Sequence, residues 1–110
     1  MTTITVAPAV DEELYQLLLE KERELRQLGR GTLHRKGPRK AGQEKWVHTS
    51  FKGSIKLQRG LGGHIVALVQ GASERDEWQL VASFIGFLQR HFRLAIGSVT
   101  LTFGPTEFQT

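Results

Sequence analysis

The 110-residue chain predicts an α+β domain of the split βαβ, ferredoxin-like kind, β-α-β-β-α-β, with two helices on one face of a four-stranded antiparallel sheet. Three observations lead there. Two long segments carry apolar residues at helical spacing, and the segments between and after them alternate as strands do. The second helical segment also carries two apolar stripes, which require two neighbours, a sheet beneath and a helix beside it.

The first strand is read at Ile4 to Val6, a short β-branched run that Pro8 stops. The first helix runs from Asp11 to about Leu28. Asp11 is placed to cap it, Val10 to staple onto Tyr15, and Gly29 to end it. Leu14, Leu17, Leu18, Leu25 and Leu28 form its apolar face, while Glu22 and Arg26 read as a solvated i, i+4 pair.

Gly29 to Gln43 holds four glycines, one proline and five basic residues, with Leu33 its only large apolar side chain. It reads as a flexible basic loop. Glu44 to Arg59 then reads as one half-buried strand with a bulge at Gly53. Val47, Phe51, Ile55 and Leu57 take its core side, and Trp46, His48, Ser50, Lys52 and Lys56 the other.

A turn at Gly60 to Gly63 leads to a central strand over His64 to Gln70. Ser73 caps the second helix, which runs to about Arg93. Trp78, Val81, Ile85, Leu88 and Phe92 make one stripe, and Leu80, Phe84, Phe87 and His91 the other. Ile96 to Phe103 is the last strand, and a loose tail is expected over 104–110.

Two helices on one face leave the other face of the sheet open. The alternation assigns to it Thr3, Thr5, Trp46, His48, Ser50, Lys52, Lys56, Ser98, Thr100 and Thr102. Beside it lies an uneven charge. The span Arg30 to Arg59 holds nine basic residues and one acid, whereas the whole chain carries a net +4. Clustered positive charge attracts phosphate polyanions.

The function expected is a non-enzymatic nucleic-acid-binding module, RNA favoured over DNA. The expected contacts are Arg30, Arg35, Lys36, Arg39, Lys40, Lys45, Lys52, Lys56 and Arg59 to phosphate, with Trp46 and His48 beside them and Trp46 as a stacking ring. The rival is a protein-interaction or homodimerising domain, joined through the open face or through Phe84 and Phe87. Filter binding and light scattering separate the two.

Other chemistry finds little support in the pattern. There is no cysteine, so disulfides and thiolate metal sites are excluded, and a reducing cytoplasm is the expected location. His34, His48, His64 and His91 show no metal-ligand spacing, so no metal and no cofactor is expected. No nucleophile motif is present, and no carboxylate pair is suggested, because the acids sit mainly at helix starts. No apolar run or leader pattern points to a membrane. Arg59-Gly60-Leu61-Gly62-Gly63 enters a strand as the RNA-recognition-motif signature does, but Leu61 and Gly63 stand where that signature needs aromatics. A hairpin turn is the simpler reading.

Overall fold

The computed structural model describes residues 1–10, 13–38 and 40–104. Its strands are β1 (Thr2–Pro8), β2 (Leu33–Arg35), β3 (Gln43–His48), β4 (Gly53–Arg59), β5 (Ile65–Gly71) and β6 (Ile96–Phe103). Its helices are α1 (Leu14–Gln27) and α2 (Glu74–Phe92). The chain is α+β, but the expected four-stranded split βαβ sandwich is overturned. The sheet has six strands in the order β2-β3-β4-β5-β1-β6, and every neighbouring pair is antiparallel.

Two local events account for the added strands. The run read as one strand folds back at residues 49–52, so Trp46 faces Ile55 and Lys45 faces Lys56 across a hairpin. Folding back exchanges the parity, which places even-numbered Trp46 on the same side as odd-numbered Ile55 and Leu57. Gly53 opens β4 at φ 135°, a conformation other residues avoid. A Cβ there would run into the Gln70 carbonyl oxygen and come within 2.7 Å of Gly71 Cα, so the position requires glycine. The second event is β2, three residues inside the segment read as a loop, paired to β3 through Leu33, His34 and Arg35.

Side chains from both helices merge with one side of the sheet in a single core. Leu14, Tyr15, Leu18 and Leu19 of α1 and Leu80, Val81, Phe84, Phe87, Leu88 and Phe92 of α2 are buried there. From the sheet come Ile4, Val6, Leu33, Trp46, Ile55, Leu57, Ile65, Ala67 and Val69. Ser73 caps α2 as expected, its Oγ accepting the Asp76 N–H at 3.1 Å. Asp11, the expected cap of α1, lies outside the described residues, as do 105–110 of the expected tail. Gly104 donates its N–H to the Met1 carbonyl at 2.9 Å.

Glu22 is not a solvated charge. It is fully buried, and its Oε2 accepts from Arg26 Nε at 3.1 Å and from His34 Nδ1 at 3.2 Å, tying β2 to α1. No helix among the described residues is long and apolar enough to cross a membrane.

Candidate nucleic-acid interface

The strand registers define the open face row by row. Lys45, Lys56, Leu68, Thr3 and Thr102 lie side by side across five strands. Gln43, Gln58, Val66, Thr5 and Thr100 form the adjacent row. Ammonium groups and carboxamides therefore occupy the β3–β4 end, hydroxyls the β1–β6 end, and two half-buried aliphatic residues the middle.

Lys36, Gly37, Pro38 and Lys40, which follow β2, come beside the β3–β4 end of this face. Lys36 donates its N–H to the Lys45 carbonyl at 2.9 Å, and Lys40 and Gln43 bridge one another. The result is a cavity of about 260 Å³ lined by Lys36, Gly37, Pro38, Lys40, Gln43, Glu44, Lys45, Lys56, Leu57 and Gln58. Glu44, though it borders the cavity, is buried, and its Oε1 accepts the Trp46 Nε1–H at 3.0 Å. Four lysines thus line the cavity, while the Glu44 carboxylate shares the buried helix side of β3 with Trp46.

The expected phosphate contacts divide accordingly. Lys36, Lys40, Lys45 and Lys56 come together at this cavity. Arg30 is exposed just beyond α1, its N–H bonded to the Leu25 carbonyl. Arg35 lines a separate, wide-open cleft with Arg23, Arg26 and Gln27, where Arg26 is engaged by Glu22. Arg39 lies outside the described residues. Lys52 is exposed at the β3–β4 turn, away from the cavity lining. Arg59 takes the helix side of β4, its guanidinium 5.1 Å from the centre of the Tyr15 ring, a cation–π contact.

Trp46 is the largest correction. It is fully buried and packs edge-on against Phe84 and Phe87, with ring centres 6.2 and 5.2 Å away. It cannot stack a base from there. The same packing buries Phe84 and Phe87 within the chain, which removes them as an association surface.

His48 also leaves the open face. Its ring lies 4.6 Å from that of Phe51 at a tilt of 37°, and its Nδ1 accepts the Ser50 N–H at 2.9 Å and the Phe51 N–H at 3.4 Å. Burial pushes its pKa below the ordinary value of 6.5. His91 is lowered too, first by burial and then by Lys21 and Arg90. A histidine with a depressed folded pKa adds stability above the unfolded value and loses it as pH falls through the folded one. Urea midpoints should therefore drop between about pH 7.5 and about pH 5, and His48→Asn, which keeps an acceptor near the Nδ1 position, should show a smaller drop.

Gln43 and Gln58 were missed by the sequence reading because uncharged amides on a strand carry no signal until the hairpin register sets them beside two lysines. Among the described residues, no group of three or more histidine or acidic side chains is placed to hold a metal ion. Comparison with protein-family models, with curated proteins and with solved structures finds no match for this chain.

Proposed function

We propose that the chain is a non-enzymatic RNA-binding module whose open sheet face seats the phosphate–ribose backbone, with Lys36, Lys40, Lys45 and Lys56 holding phosphates. The observation that carries this reading is the direct opposition of Lys45 and Lys56 within the ladder. Like charges directly opposite one another destabilise a sheet, so the pair costs the free protein stability that an anion in the adjoining cavity would offset. Lys36 and Lys40 add two more ammonium groups around the same space.

The rest of the face supports duplex RNA over single strands. With Trp46 buried, neither cross-strand row presents an aromatic ring for a splayed base. Both rows offer hydroxyl or amide groups suited to ribose 2′-hydroxyls and phosphate oxygens, the groups by which proteins recognise RNA helices. A cytoplasmic location belongs to the same proposal.

Fluorescence anisotropy with an RNA hairpin, a single-stranded RNA and a DNA duplex tests it. Four lysine–phosphate contacts give a slope of log affinity on log salt of about −3 to −4, and the hairpin should bind tightest. Salt-independent binding, or none to any of the three, would refute the proposal.

A further inference from the structure

The outer edge of β6 is unpaired among the described residues, and none of its eight residues is charged. Natural sheets blunt such edges with lysine, proline, bulges or very short strands. At the opposite edge β2 is three residues long and carries Arg35. β6 is eight residues long without lysine or proline, and its one irregularity lies at its start, between Ile96 and Ser98. On its helix side Phe103 is 58% exposed and Val99 38%, and Trp78 of α2, 49% exposed, lies with its ring 5.3 Å from that of Phe103. A long uncharged edge and an exposed apolar strip therefore coincide.

The strand is also complementary to itself. Let two copies run antiparallel about a two-fold axis at Thr100. Residues with the same parity then meet, so Val99 of one copy faces Leu101 of the other on the helix side. Gly97 lies beyond this regular stretch, at the irregularity where Ala7 pairs with Ser98 and Pro8 with Ile96. On the open side Ser98 faces Thr102, a pairing of hydroxyls across strands.

We infer that a second copy of this chain pairs along β6 in this register, joining the two sheets into one. A charged partner would find no opposite charge on this strand, whereas an isologous pair closes after two copies and abolishes the open edge. The two-fold axis stands perpendicular to the sheet, so both lysine cavities face the same way. They lie eight strand spacings apart, on the order of 40 Å at ~4.8 Å per strand.

The chain has no cysteine, so Thr100→Cys introduces one thiol per copy. In the inferred register the two Thr100 Cα atoms lie about 4.5–5.5 Å apart, within disulfide reach. Mild oxidation of Thr100→Cys should yield a covalent species of twice 12.4 kDa, and Thr102→Cys, which faces Ser98, should not. In sedimentation the unmodified chain should dimerise with rising concentration. Thr100→Lys, at an exposed position that keeps the fold, should weaken that dimer about ten-fold or more. A chain that stays monomeric to millimolar concentration, or equal cross-linking of the two cysteine variants, overturns the inference. No RNA enters these experiments, so their failure leaves the RNA proposal standing, and failure of RNA binding leaves the dimer standing.

Discussion

Replacing Lys45 and Lys56 together by glutamine should weaken RNA binding and make the protein more stable. The two effects have one cause. In the free chain the ammonium groups stand opposite each other in the ladder, and removing the repulsion should add about 0.2–1 kcal/mol. For a domain of this size that corresponds to roughly 1–6 °C in Tm. With RNA bound, the same groups neutralise phosphates and release counterions. Loss of two such contacts should flatten the salt slope by about 1.5–2 and lower affinity roughly 10- to 30-fold near physiological salt. Calorimetry and anisotropy on one preparation read both quantities. A stability loss with unchanged affinity would show that the lysines serve the fold and not a ligand.

Trp46→Ala should do the reverse, removing stability first. The side chain is fully buried between Phe84 and Phe87, and truncating a large aromatic in a packed core costs about 3–5 kcal/mol. The indole N–H also satisfies Glu44, so its loss leaves a buried carboxylate short of a donor. Against a total stability of about 5–15 kcal/mol, the variant should unfold at much lower urea. Trp46→Phe keeps most of the apolar volume and should bind RNA as the unmodified chain does at temperatures where it remains folded. A Trp46→Phe protein with native stability but strongly reduced RNA affinity would return the indole to the binding surface.

Lys45 and Trp46 are adjacent in sequence yet lie on opposite sides of the sheet, and that adjacency explains what could be read without coordinates. Helical periodicity showed α1 and α2 well, because each carries a long apolar stripe and α2 a serine cap. A continuous apolar run showed β5 and alternation showed β6, each mapping onto a single strand. The middle of the chain was misread because alternation alone is blind to a reversal of direction. His48, Ser50 and Lys52 continue the polar parity of Trp46 straight through the turn, and only the backbone at Gly53 breaks it.

That one missed turn moved Trp46 to the wrong side of the sheet and Lys45 away from Lys56. The strand β2 was hidden for a different reason. Leu33 is its sole buried anchor, and three residues are too few to display a period. Glu22 was misassigned because a helix wheel sees Arg26 four residues on but not His34, which reaches it from another element. The charge of the middle segment was legible throughout. Its division into a lysine cavity on the open face, an arginine cleft beside α1 and an Arg59–Tyr15 contact in the helix layer is tertiary information.

Titration of the isotopically labelled chain with an RNA hairpin, followed by backbone and lysine side-chain resonances, addresses the lysine cavity directly. The largest shifts should fall at Lys36, Lys40, Gln43, Lys45, Lys56 and Gln58, with Trp46 and Arg59 little changed. Shifts confined to Arg23, Arg26 and Arg35, or absent altogether, would contradict RNA binding at the lysine cavity.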